Sequence, residues 1–307
     1  MQFWHMLHNS LIRAVAVVLF VVVVGLPVAG YADPPVIMPV RSIDLSGVQK
    51  CYDDPQSSDF CDRCNGPNYN NTSLTNYVLL RETLKAGGMD VNVVGIDSPN
   101  SARSRLMVAD GVATVKADWD FNIAGNDSVL KSDAFIEAGE LFKGIYGLPD
   151  NSNLQKARDL DDIRRLTAVS NPHWRLDWMV LTEMNLASLY PVSTTGQMYH
   201  LIAQGRADFT LLEFSPRSDM MREFEGGRLL PVPGLKVAMP NAQHFMVSRQ
   251  SPRAEEIIQT LNSGLMKIRE NGLLSRCLHQ GGLVNASTRD WKILNADKGI
   301  VAKNRFY

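Results

Sequence analysis

The stretch MYHLIAQGRADFTLLEF, Met198 to Phe214, decides the fold. Met198, Leu201 and Ile202 recur at helical spacing, Gly205 supplies a left-handed stop, and Phe209 to Phe214 reads as a buried strand. A helix followed after a few residues by an apolar strand is the unit of an α/β sheet. Glu213 interrupts the apolar run. In an open α/β sheet ligands bind at the carboxyl ends of strands, so an ionisable group there is either a ligand contact or a solvated strand end.

The same alternation extends in both directions. Towards the N-terminus, Val36–Val40 and Ser42–Leu45 read as strand pieces, followed by a cysteine-bearing loop. A helix over Ser73–Ala86 ends at Gly87-Gly88, and the strand Met89–Ile96 follows. Ser101 is placed to cap a helix over 102–109, and Val112–Trp119 reads as another strand. A second series follows the aromatic segment Leu141–Gly147. It predicts helices over 159–166, 174–186 and 196–203 and strands over 167–170, 189–193 and 209–214. Leu229–Val237 and His244–Ser248 then read as strands, and Ser251-Pro252 opens a long helix reaching Asn271-Gly272. Short connections between strands and helices imply mostly parallel sheets covered by helices. Extended segments near 142–147 and 236–246 suggest a chain that crosses twice between two lobes, with a hinge at the crossings and a small-molecule cleft between the lobes.

The N-terminus predicts export. Arg13 precedes thirteen residues, Ala14–Leu26, all apolar except Gly25, and the small residues Ala29, Gly30 and Ala32 follow. This reads as a signal peptide over residues 1–32, cut after Ala32; the run falls short of the roughly 20 residues that span a bilayer. No second long apolar run follows, and Asp33 stands where a lipoprotein needs cysteine. Without Arg13 the chain keeps 30 Lys plus Arg against 32 Asp plus Glu. That balance, with no basic stripe, argues against a nucleic-acid partner. Cys51, Cys61, Cys64 and Cys277 are an even set in an exported chain and predict disulfides tying the loop to itself and to the C-terminal segment. A Cys61–Cys64 redox dithiol and a zinc site with Cys51 are the rivals, the latter lacking a fourth ligand. No metal site and no cofactor are expected.

These features together resemble the type 2 periplasmic solute-binding proteins, in their amino-acid-binding-like group associated with transporters. The matching pieces are the exported N-terminus, Gly205-Arg206-Ala207-Asp208 before a strand, and the opening of a second lobe from Asp159-Leu160 to Ala168-Val169-Ser170. The closing helix from Ser251 to Gly272, followed by Trp291-Lys292, completes the match. The resemblance implies a two-lobed α/β fold with lobe 1 formed by 33–143 and 243–307 and lobe 2 by 144–242. It implies a monomeric periplasmic receptor that captures a small polar organic solute, an amino acid or a related compound, and presents it to an inner-membrane permease or a signalling partner. It also places Glu213 where the family holds a ligand ammonium, and the turn Ser170-Asn171-Pro172-His173-Trp174-Arg175 where a helix N-terminus receives a carboxylate. The first lobe departs from the family. Lys116-Ala-Asp-Trp119-Asp-Phe121 carries no Thr-x-x-Arg, and a lysine point charge does not reproduce an arginine fork.

Trp119 and Trp174 read as stacking platforms or as core, and His173 as a cleft or a surface histidine. No Ser/His/Asp set, metal-ligand spacing or phosphate loop supports catalysis. A cyclic-acid dehydratase on the same fold, using Glu213 or His173 as acid or base, and a ligand-sensing accessory protein remain the alternatives.

Overall fold

The computed structural model describes residues 34–53, Cys61, 72–296 and Phe306. The expected signal peptide and Cys64 lie outside these residues, and the side chain of Cys51 is likewise not described.

The first lobe runs through β1 (Val36–Arg41), α1 (Ser42–Asp53), α2 (Thr72–Gly87), β2 (Val93–Ser98), α3 (Ser101–Ala109), β3 (Val115–Trp119), α4 (Asp120–Ile123) and β4 (Val129–Ile136). The second contains β5 (Phe142–Gly147), α5 (Ser152–Gln155), α6 (Leu160–Arg164), β6 (Thr167–Ser170) and α7 (Arg175–Glu183). It continues with β7 (Ser188–Pro191), α8 (Thr195–Ala203), β8 (Thr210–Glu213), β9 (Arg222–Phe224) and β10 (Gly227–Ala238). The chain then returns through β11 (Gln243–Ser248), α9 (Ala254–Glu270) and α10 (Leu273–Gln280), and ends its described strands with β12 (Lys292–Ile293).

Local chemistry sets the boundaries. Asn100 caps α3 by accepting from Arg103 N at 2.9 Å, one residue before the expected Ser101. Asp159 and Thr194 cap α6 and α8 in the same way. Gly205, with φ +68°, stops α8 as read from the sequence. In lobe 1 the pair α2 and α9 pack closely because Gly264 lies on the backbone of Thr83, where a Cβ would overlap the carbonyl oxygen. Two expectations are corrected. Ser42–Leu45 is the start of α1 and not a strand: its period-two look is accidental, and Asp44 turns back to pair with Arg41 at 2.7 Å. The strand β4 escaped the sequence reading because Lys131 and Asp133 break its apolar run.

Among the described residues the strand ladders fall into two sets. In lobe 1, β1 pairs with β2 in parallel, and β11 lies between β3 and β4, antiparallel to both. In lobe 2 the order is β12-β10-β5-β8, with β9 on β10, while β6 pairs in parallel with β7 and meets β8 through a parallel Ala168–Phe209 bridge. Strand–helix–strand connections produce the parallel pairs β1–β2 and β6–β7. The antiparallel ladders come from strands that enter or leave a lobe at the crossings.

Those crossings are residues 137–141 and 239–242, held side by side where Gly139 N donates to Met239 O and Met239 N to Leu141 O, each at 2.9 Å. The expected linker 142–147 is therefore corrected. It is the fully buried strand β5, with Tyr146 donating to Met220 O and accepting from Ser215 N. Near the end of the described chain β12 pairs with β10, and Asn295 bonds both backbone groups of Ala238. Cys61 is joined to Cys277 on α10, Cα atoms 4.9 Å apart, which ties the cysteine loop to the C-terminal segment and excludes a Cys61–Cys64 dithiol.

Candidate functional site

Where the crossings meet lobe 2, a lysine stands alone in an apolar strand. Lys143, second residue of β5, is opposite Glu213, last residue of β8. Its Nζ lies 3.1 Å from Glu213 Oε1 and 2.8 Å from Asp177 Oδ1, in the first turn of α7. The lysine and Asp177 side chains are 8% and 10% exposed, whereas Glu213 keeps 25%. Arg222 on β9 donates through two guanidinium nitrogens to the backbone oxygen of Glu213 and lies 5.7 Å above the Tyr146 ring.

Charge follows from this geometry. Burial alone would raise the Glu213 carboxyl, but Lys143 and then Arg222 outweigh it and hold the group at about 2. Burial would lower Lys143, and the two carboxylates instead keep it above the usual lysine range. Asp177 is raised, because burial and the neighbouring Glu213 charge together outweigh the lysine. Two carboxylates and two cations thus share one buried cluster. Alongside it, Tyr199 stacks on Phe224 at 4.9 Å and is raised by burial.

The lobe 1 strands end at the same crossings. Trp119 closes β3, half-buried against the core, and faces Gln243, first residue of β11. Gln243 is buried, and its Oε1 has no hydrogen-bond partner among the described residues. Lys116, expected in the site, is engaged within its own strand: Nζ lies 2.7 Å from Asp118 Oδ2 and donates to Ala117 O at 2.8 Å. Asp118 also accepts from Asn122 and from Trp119 N, and although burial raises it, these partners keep its pKa lowered. Phe121 in α4 donates its N–H to Asn241 Oδ1 in the second crossing and carries the Arg175 guanidinium 4.8 Å from its ring centroid. Arg175 opens α7, so this contact joins the lobes beside their strand ends.

The second-lobe turn is built mostly for its own shape. Ser170 is buried at the end of β6 and accepts from Val192 N through its carbonyl. Asn171 is buried, accepting from His173 N at 2.9 Å and donating to Ser193 O at 2.9 Å, so both ends of its amide are engaged. His173 is exposed, and Trp174 is half-buried against the second core cluster. Of the residues read from the sequence, Glu213 pairs with Lys143 beside the first crossing and Trp119 with Gln243 beside the second, while Lys116 serves Asp118. Lys143, Asp177, Arg222 and Gln243 were not read, and Arg175 was read only as the end of the Ser170–Arg175 turn. Two of the unread residues left a signal: Lys143 is the one charge in the apolar run Leu141–Gly147, and Asp177 falls on the buried side of α7 with Leu176, Val180 and Leu181.

No protein-family model matches the chain, and no curated protein does. Solved structures do. The chain is similar to the periplasmic VFT2 domain of BvgS from Bordetella pertussis, at 18% identity over 65% of this chain and 80% of that one, TM-score 0.48. It is similar to substrate binding domain 2 of GlnP from Lactococcus lactis, in its open conformation, at 13% identity over 69% and 86%, TM-score 0.48. A third similar structure is the GluR0 ligand-binding core from Nostoc punctiforme with L-glutamate, at 13% identity over 80% and 97%, TM-score 0.46. These neighbours are type 2 periplasmic binding domains.

Proposed function

We propose that this protein is a solute-binding receptor that lodges a small polar organic compound between its lobes, an amino acid or a relative of one, and closes on it. The observation that carries this reading is the convergence of strand ends. Gln243 of lobe 1 and Lys143 of lobe 2 closely follow the crossings 239–242 and 137–141, and Trp119 and Glu213 are their partners on the neighbouring strands. A ligand there touches both lobes, and contacts available only when both touch it shift the population towards closure. The Arg175 guanidinium over the Phe121 ring supports this reading.

The export reading of residues 1–32 supports a periplasmic location; there the protein acts as a monomer that presents its closed form to an inner-membrane permease or a signalling partner. Among the described residues no helix is long and apolar enough to cross a membrane. The test is a thermal-shift screen against amino acids, small carboxylates, amines and sugars, where a ligand at about 100 times its Kd adds about 2.7 kcal/mol. Small-angle scattering with a stabilising compound should show a smaller radius of gyration. Stabilisation without compaction would argue for a rigid pocket.

A further inference from the structure

At the lobe 2 strand ends Glu213 is the carboxylate that solvent can reach, with a quarter of its side chain exposed, while Asp177 is shut beneath it. A cationic solute entering here would be drawn to Glu213. Lys143 already stands at 3.1 Å from Oε1, delivered from below by β5 and anchored on its other side by Asp177 at 2.8 Å. Arg222, fixed on the backbone oxygen of the same glutamate, adds a second positive charge. Lys143 therefore does for Glu213 what the ammonium of a solute would do. An incoming amine must either displace a buried lysine or sit beside it as a third cation, and like charge in a partly desolvated site is strongly unfavourable. Of the lobe 1 carboxylates beside the crossings, Asp118 is closed off by Lys116, Asn122 and Trp119 N, and Asp120 is already held by Lys131 at 2.6 Å with His244 Nε2 3.7 Å away.

Resting on the receptor reading of this site, we infer that Lys143 is an internal counterion that sets its specificity: the site rejects cationic amines and takes neutral polar or anionic solutes, which within the class proposed above favours relatives of amino acids that lack a free ammonium. Without that lysine Glu213 becomes an open amine site.

The experiment titrates putrescine and n-butylammonium calorimetrically into the wild type, the single variant Glu213→Gln, Lys143→Met/Asp177→Asn, and the same double variant carrying Glu213→Gln. Asp177→Asn is included so that removing the lysine does not strand a second buried acid. The wild type should give no saturable heat up to roughly 10 mM amine, and the double variant should bind at least about tenfold more tightly, a gain that Glu213→Gln abolishes. Wild-type amine binding weakened about tenfold or more by Glu213→Gln alone overturns the inference, whether or not the double variant folds. A double variant with the wild-type circular dichroism spectrum and no gain also overturns it. Failure of the receptor reading is separate: it shows as a wild type that no neutral or anionic compound stabilises.

Discussion

Each lobe buries a lysine against a carboxylate near the crossings, and the two pairs are built differently. Lys116 in lobe 1 meets Asp118 two residues along its own strand, and Asp118 has two further donors, Trp119 N and Asn122, with the Arg105 guanidinium 3.6 Å away. Lys143 in lobe 2 meets Asp177, 34 residues on, and Glu213 in the neighbouring strand. The local pair tidies one strand end. The remote pair clamps two strands and a helix, so its loss should loosen a lobe where loss of the other only trims an edge.

The comparison is tested most strongly by Lys143→Met, expected to cost about 3–5 kcal/mol in urea unfolding because it strands the buried Asp177 and the partly buried Glu213, against about 1 kcal/mol for Lys116→Met. Equal losses would mean that distance along the chain is irrelevant. A covalent remote tie sharpens the point: Cys277→Ser releases Cys61, 216 residues away, and should lower stability by about 2–5 kcal/mol, read by the same unfolding curve. Smaller is the effect of Glu213→Gln, about 2 kcal/mol at neutral pH. Its sign with pH is fixed. A carboxylate held at about 2, against an ordinary 4.5, contributes stability above pH 4.5 that is lost as pH falls towards 2. Asp177, being raised, acts oppositely, its contribution falling as pH rises through its folded value. The Glu213→Gln penalty should therefore shrink on acidification when urea midpoints are compared at pH 7 and pH 3; a constant penalty would show that the glutamate charge is not what the lysine holds. Smallest is Phe121→Leu, worth about 0.5–1 kcal/mol or less, seen as a larger radius of gyration when the Arg175 contact is lost and closure weakens.

How much could be read beforehand follows the same division. Elements specified by neighbours in sequence were legible: α8 from its period and Gly205, β8 from its apolar run, α9 from Ser251-Pro252. Glu213 was legible as a charge in the wrong place, but its partner was not, since nothing local connects residue 213 to residue 143. Lys116 misled for the complementary reason. A lysine near a strand end looks available until its own strand supplies the acid, two residues along and on the same face. The strand β4 and the return of β12 depend on what pairs with them, β11 and β10, and their sequences alone carry too little apolar pattern to declare it.

The position of β11 also fixes an order of assembly. Its residues 243–248 fill the middle of the lobe 1 sheet, with Val247 opposite Val115, so that sheet has a gap between β3 and β4 until the chain has travelled through the whole of the other lobe and back. Lobe 2 has no such wait: β5, β8, β9 and β10 come from one continuous stretch, and only the short edge strand β12 arrives late. Closing long loops is the slow part of building a sheet. The inserted half should thus gain protection first and serve as the surface on which the two ends of the chain are brought together. Pulsed hydrogen exchange during refolding reads this directly, with amides of β5 and β8 protected before those of β3; the reverse order would mean that the two ends find each other unaided.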